Sequence, residues 1–527
     1  MRKTERIVTF PWAMGLDLTS VPGGENRGSL RQADNIVLRN NGSRAKKPGI
    51  VRLDYIGNDD ANLRGICDFH GISVSTRFQE VVRVINGRLE ALRDGEFSDL
   101  GTTDIADSDA VSFTQFANAQ IVFFENRAPV YFLHSAAPAI LPIPGSHQGV
   151  PPRFGRIVKS RLAYAGRLNR PHSLTLSAPN SISDYTLLGG GYSITVADGD
   201  GDPYGITGIS PEFRGDFYVF KWGKIYRLYW SGYGFGIDQI TDELGAVNHN
   251  TIIETPNDII FVSDRGIHSL SMTASYGAAE EATLTYPIYE DFIADVNWSN
   301  SKYMWACYDS ETNCYLLNYS SSGSSSNNKI IGINTRTKQI FLWDDIEYSG
   351  ICRYLDENKK RRTLVCDSTG QTGYLDKRFY TAFDEKITSE ILSALIFPRG
   401  HLSGVCNFTK FKLYMKPTTR DVNVEFGYYI DGVFQESDTF NTNGSGEGML
   451  IGGDEATESN IGTTVIRSNH TDFLGHEIEI RGTGSSFQFY LKQEPEDDDE
   501  TFEQPFEVFG YEIEYDYSED TGVDVKI

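Results

Sequence analysis

The clearest alternation of apolar and polar positions lies late in the chain. In Val422, Val424, Phe426, Tyr428 and Ile430 every second residue is apolar or aromatic, while Asp421, Asn423, Glu425 and Asp431 alternate with them. A period of two sends the two sets to opposite faces, so this segment predicts a half-buried strand. Phe509, Tyr511, Ile513, Tyr515 and Tyr517 alternate with Glu512, Glu514 and Asp516 in the same way, as do Phe411, Leu413 and Met415 with Lys412 and Lys416. With Glu477 to Arg481 and Phe487 to Lys492, these segments predict an antiparallel sheet or sandwich with one wet face. Helical spacing is rare. Ile288, Phe292 and Val296 stand at i, i+4 and i+8 and predict one short helix over 288–296.

Between about 60 and 385 the pattern changes to a recurring unit, in which an apolar run meets a tight turn with Gly, Asn or Asp and a second apolar run follows. Val81 to Ile85 turns at Asn86-Gly87 into Leu89 to Leu92, and Ile121 to Phe124 turns at Asn126 into Val130 to Leu133. Leu162 to Ala165 turns near Gly166 into Ser173 to Leu176, and Phe217 to Phe220 turns at Trp222-Gly223 into Ile225 to Tyr229. Ile259 to Val262 turns at Asp264-Arg265-Gly266 into Ile267 to Leu270, and Met304 to Tyr308 turns near Glu311 into Cys314 to Leu317. Successive turn centres are 39, 41, 56, 42 and 46 residues apart, close to the ~40 to 50 of a four-stranded propeller blade. Two more hairpins follow, over Ile330 to Trp343 and Thr363 to Leu375. The expected fold is therefore all-β: a six- or seven-bladed β-propeller-like domain with an additional antiparallel sheet or sandwich domain. A radial array buries its sheet faces against neighbouring blades and leaves only short edges; a stack of sandwiches is the competing architecture. The expected divisions are an N-terminal arm at 1–60, the propeller at 61–385 and a β-rich C-terminal domain at 386–527. Two low-complexity patches, Ser320 to Asn328 and Asn441 to Gly453, are expected as loops.

Charge adds a second layer. Lys and Arg number 48 against 72 Asp and Glu, a net charge of −24 over 527 residues, which opposes a general phosphate-gripping surface. From Glu494 to Ile527 there are 14 acids and one base, Lys526, whereas the first fifty residues carry nine bases against four acids. Contact between head and tail, within one copy or between copies, is electrostatically favoured; a solvated basic arm and a solvated acidic loop are the competing reading. No apolar run reaches the ~20 residues that span a bilayer, and Ile7 to Leu16 is short and broken by Pro11. The expectation is a soluble protein made in the cytoplasm, without membrane insertion. Six scattered cysteines with no C-x-x-C pair suggest small buried hydrophobes, so the sequons at Asn297 and Asn407 gain no glycosylation context.

Candidate chemistry is thin. P-loop, G-x-S-x-G and H-E-x-x-H signatures are absent, and Gly232-Tyr233-Gly234-Phe235-Gly236 precedes no predicted helix. The nine histidines form no ligand-spaced pair. Asp198-Gly199-Asp200-Gly201-Asp202 has the alternate carboxylates of half a calcium loop, but Ile209 occupies the twelfth position, where that loop needs Glu, so a tight turn is expected. The acidic run Glu494 to Glu500 is expected to remain solvated. No catalytic, cofactor-binding or metal-ligating residue is assigned, and no cofactor is expected. A propeller glycosidase would need two facing carboxylates, yet the Ser-x-Asp-x-Gly-x-x-Trp boxes of sialidase-like propellers are missing and Trp343-Asp344 lacks the Gly-His of WD40 blades.

Certain segments carry a family resemblance. Asp34-Asn35-Ile36-Val37-Leu38-Arg39-Asn40-Asn41-Gly42-Ser43, followed by Lys46-Lys47-Pro48-Gly49, resembles the start of the tail nozzle, or DNA-stabilisation, proteins of short-tailed bacteriophages. Ala197 to Tyr229 and Asp258 to Leu270 look like blades of that family's propeller, and Tyr286 to Trp343 resembles its short helix followed by two hairpins. The similarity spans residues 15 to 380 in outline, through degenerate motifs. It implies a non-enzymatic structural virion protein: a ring, expected to be hexameric, below the portal and adaptor, with other tail proteins and tail fibres as further partners. Such a ring is assembled in the host cytoplasm and forms the conduit for genome retention and ejection, with double-stranded DNA passing transiently and without specific binding. The alternative is a propeller that binds or hydrolyses host-surface carbohydrate.

Overall fold

The computed structural model describes residues 2–19, 27–53, 62–73, 76–93, 95–102, 105–134, 136–144, 147, 149–232, 234–276, 283–383, 385–400, 404–416, 422–442, 474–493 and 506–518. Two compact units emerge. One comprises Val51–Thr335 with Ile346–Leu375, the other Met1–Ile50 with Arg336–Asp345 and Asp376–Ile527.

The first unit is a succession of small antiparallel sheets. The first four have four strands each: Leu63–Ser73, Thr76–Ile85, Arg88–Arg93 and Glu96–Asp99; then Val111–Phe116, Ala119–Phe124, Val130–Leu133 and Ala139–Ile140; then Phe154–Val158, Arg161–Ala165, Ser173–Leu176 and Tyr192–Thr195; then Ile206–Ile209, Phe217–Lys221, Ile225–Trp230 and Phe235–Thr241. The fifth has Ile253–Glu254, Ile259–Ser263 and Gly266–Ser269. Trp305–Asp309, Cys314–Tyr319 and Lys329–Asn334 follow, and then Tyr348–Leu355, Arg361–Asp367 and Thr372–Asp376. Beside this last group the incoming chain pairs through Leu53 N–H and the Thr372 carbonyl, 2.9 Å apart.

Each expected turn joins two adjacent strands. Asn86 and Gly87 reach φ of 48° and 73° between Ile85 and Arg88, as a two-residue hairpin with right-handed strand twist requires. Two second strands are buried on both faces, all six residues of Ala119–Phe124 and all five of Ile259–Ser263. This explains why the region reads as uninterrupted apolar runs.

Packing runs from sheet to sheet. Phe69, Val82 and Leu89 of the first meet Val111, Val122 and Phe124 of the second; Ile121 and Phe123 meet Leu162 and Tyr164 of the third. Ala163 and Leu174 meet Phe217 and Leu228 of the fourth, and Phe220 and Ile225 meet Ile259 and Phe261 of the fifth. Tyr315 Oη then donates to the Thr251 carbonyl at 2.9 Å, and Asn318 Nδ2 to the Tyr348 carbonyl at 2.7 Å. The circuit closes where Tyr354 and Leu364 join Leu63, Ile66 and Ile85 of the first sheet. The unit is all-β and propeller-like.

The second unit has two large sheets and a small two-stranded one, Thr381–Ala382 with Glu385–Lys386. One large sheet sets Glu507–Ser518 beside Cys406–Met415, Arg44–Lys46 and Arg2–Thr9, with Ile36–Leu38 and Leu474–Gly484 outside them; the other aligns Leu30–Asp34, Ser389–Ser393, Phe487–Gln493, Asn423–Ile430 and Val433–Asn441. An aromatic core lies between, where Phe411 has Phe426 at 4.6 Å and Phe489 at 4.7 Å, ring centre to ring centre. Trp12 is fully buried against Tyr511 at 5.2 Å. The Arg44 guanidinium, also fully buried, lies 3.9 Å from the centre of the Trp12 ring and donates to the carbonyls of Met14 and Gly28.

These units divide the chain differently from the expected 1–60, 61–385 and 386–527. The strands Arg2–Thr9, Leu30–Asp34, Ile36–Leu38 and Arg44–Lys46 belong to the same unit as the C-terminal segment, and Arg2–Thr9 pairs along its whole length with Glu507–Ser518. Charge reinforces that pairing: Arg6 lies 2.8 Å from Glu514 and 3.3 Å from Glu512, and Arg39 lies 2.8 Å from Glu507. Among the described residues, head and tail thus meet within one copy.

Three local features have physical causes. Register slips where Tyr414 faces Gly510 but Met415 faces Val508, so Val508 turns inward and Phe509, expected on the apolar face, is half-buried. Ser320 to Asn328 joins two neighbouring strands of one sheet and is pinned by polar contacts: Asn297 Nδ2 donates to the Ser324 carbonyl at 2.8 Å, and Asn327 Nδ2 to that of Tyr303 at 2.7 Å. The helix expected over 288–296 spans Tyr289–Asp295, and a second, Leu270–Tyr276, was not expected; it starts where Asp258 accepts from Ser271 N–H at 2.9 Å. Past Thr442, the patch Asn441 to Gly453 lies outside the described residues.

Candidate functional site

Within the first unit a cleft of about 430 Å³ opens where several sheets begin. Its walls come from two recurring places. Ala110 to Ser112, Arg153, Tyr204, Asn248 and Lys302 sit just before or at the start of a sheet's first strand, whereas Glu125, Arg167 and Trp222 sit in turns between second and third strands. Antiparallel alternation brings both kinds of position to the same end of a sheet.

Three cations and one carboxylate line this cleft. Glu125 accepts from Lys302 Nζ at 2.9 Å and lies 3.6 Å from Arg153. Lys302 also donates to the Ser108 carbonyl at 2.8 Å, which fixes its long side chain. Arg167 Nε donates to the Val150 carbonyl at 3.4 Å, and burial lowers the pKa of its guanidinium. The buried Nε of Arg153 and the buried hydroxyl of Ser112 have no hydrogen-bond partner. An apolar bed completes the cleft: Phe154, Leu168, Pro171, Ile206 and the Tyr204–Trp222 pair, whose rings are 5.2 Å apart.

The other polar side chains of the cleft hold the backbone. Asn248 Nδ2 donates to the carbonyls of Ser301, Lys302 and Met304 at 2.9 to 3.0 Å, and Asn250 Nδ2 to that of Val111 at 2.8 Å. Thr207 Oγ1 donates to the Phe220 carbonyl at 3.3 Å. His249 is buried, stacks on Phe154 at 4.8 Å and accepts from Ile209 N–H at 3.2 Å. Burial and then Arg156 push it well below the usual imidazole range, so it stays neutral.

A second buried imidazole, His268, contacts Ser263 Oγ at 2.7 Å and Thr283 Oγ1 at 3.2 Å. Burial, helped by Arg265, lowers its pKa to about 3 from 6.5. Because the folded value is the depressed one, its contribution to stability is complete above pH 6.5 and is lost as pH falls toward 3. Replacing His268 with Gln should therefore flatten the fall of the first unit's unfolding midpoint between pH 6.5 and 3, measured by thermal denaturation across that range. An unchanged slope would show that other groups govern it.

The sequence assigned no site residue, and the segments it weighed fall elsewhere. Asp198 to Asp202 is a turn. Asp200 accepts from Lys221 Nζ at 2.7 Å and Tyr226 Oη at 2.5 Å, and Asp202 from Gly223 N–H at 3.2 Å, so these two carboxylates are occupied by protein donors. Although burial opposes ionisation of Asp200, Lys221 and Tyr226 outweigh it and hold the carboxyl at about 2. Gly232 and Gly234 lie in the turn before Phe235–Thr241. The run Glu494 to Glu500 lies outside the described residues. Among the described residues no group of three or more His, Cys, Asp or Glu could hold a metal ion, and no helix is long and apolar enough to cross a membrane. Sequence reasoning missed the cleft because Arg153, Arg167 and Lys302 belong to separate hairpins and form no local motif. The usable signal was the period itself, since equivalent turns of a repeated sheet share one end.

No family model and no curated protein matches the chain. Similar solved structures are β-propeller proteins. One is BBS1N in complex with ARL6DN, 11% identical, covering 63% of this chain and 97% of its own, with a TM-score of 0.39. Another is YCF48 bound to D1 peptide, 10% identical, covering 63% and 98%, with a TM-score of 0.36. A third is PorZ of the type-IX secretion system of Porphyromonas gingivalis, 11% identical, covering 74% of this chain and 46% of that one, with a TM-score of 0.35. None of these three is a phage tail protein, and at such scores the fold rests on the sheet topology given above.

Proposed function

We propose that this chain is a structural subunit of a short-tailed phage tail, a nozzle protein that forms a ring below the portal and adaptor and serves as a conduit for the genome. In this reading the seven strand groups of the first unit are seven blades, the last completed by the incoming chain near Leu53. The observation that carries the reading is the placement of the segment on which the family resemblance rests. Ile36–Leu38 and Arg44–Lys46 form a hairpin inside the second unit, with Arg44, Lys46 and Lys47 buried. Lys47 pairs with Asp345 at 2.8 Å, both almost wholly out of water. Trp343 Nε1 donates to the Ile36 carbonyl at 2.8 Å. A basic segment used this way is part of a rigid building block and is withdrawn from phosphate binding.

The net charge of −24 supports the same reading, because a wall of negative potential does not hold a passing duplex by counterion release. The assembled ring should present acidic residues to its channel; a lining dominated by Lys and Arg would contradict the proposal. The partners are further copies of the chain, portal, adaptor and tail proteins, and the location is the virion, after assembly in the host cytoplasm. Native mass spectrometry of the purified chain, alone and with adaptor protein, should show a closed ring, hexameric in the expected case. A persistent monomer in both samples would overturn the proposal.

The exposed Tyr204 beside Trp222 favours a second reading, carbohydrate binding, since flat aromatic faces suit sugar rings. Hydrolysis needs two facing carboxylates, and Glu125 is the one carboxylate lining the cleft among the described residues. A glycan array tests binding directly: retention of a defined glycan by a monomer would favour this reading over the ring.

A further inference from the structure

We propose that the cleft walled by Arg153, Arg167, Lys302 and the Tyr204–Trp222 pair binds a phosphate monoester carried on a flat ring, the chemistry of a nucleoside monophosphate. The inference goes beyond the nozzle reading and does not depend on it, because it rests on the lining of the cleft alone.

Charge comes first. The chain as a whole carries −24, yet on the cleft wall Arg153, Arg167 and Lys302 stand against one carboxylate, Glu125, a local net charge of +2. His249 adds none, since it stays neutral. The side chains of Arg153 and Lys302 remain accessible, 33% and 41% exposed. Arg167 lies deeper, at 3%, where burial, and also Arg170 nearby, lower the pKa of its guanidinium. A phosphate monoester carries about −2 at pH 7 and matches the local excess, whereas a carboxylate or an internal phosphodiester is a monoanion and matches half of it.

The rest of the lining selects what carries the phosphate. Tyr204 is 65% exposed beside Trp222, and Leu168, Pro171 and Pro203 extend the apolar wall. A flat ring stacks on such an aromatic surface, and inorganic phosphate leaves it wet. An uncharged sugar covers the aromatics but leaves the cations without a counter-charge. At about 430 Å³ the cleft is of the size that takes one small ligand. Asn248, Asn250 and Thr207, which could read the edge of a base, donate instead to backbone carbonyls. The ring is therefore held by its face.

Isothermal titration of the full chain with AMP should give saturable binding. Adenosine, without the phosphate, and ribose 5-phosphate, without the base, should each bind at least about tenfold more weakly, the scale of one charge-assisted hydrogen bond or one stacked base. Tyr204→Ala should weaken AMP by a similar factor and leave ribose 5-phosphate unchanged, a split that misfolding would not give. Leu168→Glu, which places an acid at the cleft on a residue 65% exposed, should weaken both. Arg214→Gln, away from the cleft, should change neither. Equal binding of adenosine and AMP, displacement of AMP by equimolar inorganic phosphate, equally tight binding of an unphosphorylated single-stranded oligothymidylate, or absence of saturation would each overturn the proposal. A chain that forms rings but ignores AMP would refute this inference and leave the nozzle reading standing.

Discussion

Replacing Arg44 with alanine is expected to destabilise the second unit by about 3–5 kcal/mol, the sum of two buried carbonyls left without their donor and of the cavity where the side chain stood. Arg44 is completely buried, and burial pushes its guanidinium well below the usual arginine range. It is held by the face of Trp12 at 3.9 Å and by the carbonyls of Met14 and Gly28. Alanine would open a cavity under Trp12 and leave both carbonyls without that donor. Arg44→Met, which keeps the stem, should recover part of the loss but not all, because the carbonyls still lack the guanidinium. With two units in one chain, a single unfolding curve can blend two transitions, so the measurement is hydrogen exchange along Cys406–Met415 as denaturant rises. A loss below about 1 kcal/mol for Arg44→Ala would show that Arg44 is incidental to the core.

Phe411→Ala should cost a similar amount, about 3–5 kcal/mol, through a different mechanism: lost apolar burial and the void left behind. Its ring is within 4.7 Å of Phe426 and Phe489 and about 6 Å from Phe487 and Tyr511. The surrounding rings come from several strands and cannot all collapse into one gap. Phe411→Leu keeps most of the volume and should cost about 1–2 kcal/mol. The same exchange measurement checks both substitutions, and equal losses for Ala and Leu would point to ring stacking in place of volume.

The chain's own pattern carries much of the architecture. Period-two alternation at Val422 to Ile430 places all five apolar residues inside, because a half-wet sheet writes its two faces into alternate positions. The turns at Asn86-Gly87 and Asp264-Arg265-Gly266 were visible because few residues adopt positive φ cheaply. Phe509 misled because a bulge is a property of two paired strands, and the strand opposite, Cys406–Met415, lies almost a hundred residues away.

Sequence alone therefore determined the strand-rich class, the repeated hairpin, the short helix near Phe292 and the charge contrast between head and tail, since each depends on neighbours within a few residues or on composition. Only the tertiary structure decided that Arg2–Thr9 pairs with Glu507–Ser518, that Arg44 is buried under Trp12, and that Arg153, Lys302 and Trp222 share one cleft. Those outcomes join residues separated by tens to hundreds of positions. Long-range strand pairing and the order in which sheets stack bring them together, and a local pattern carries no record of either.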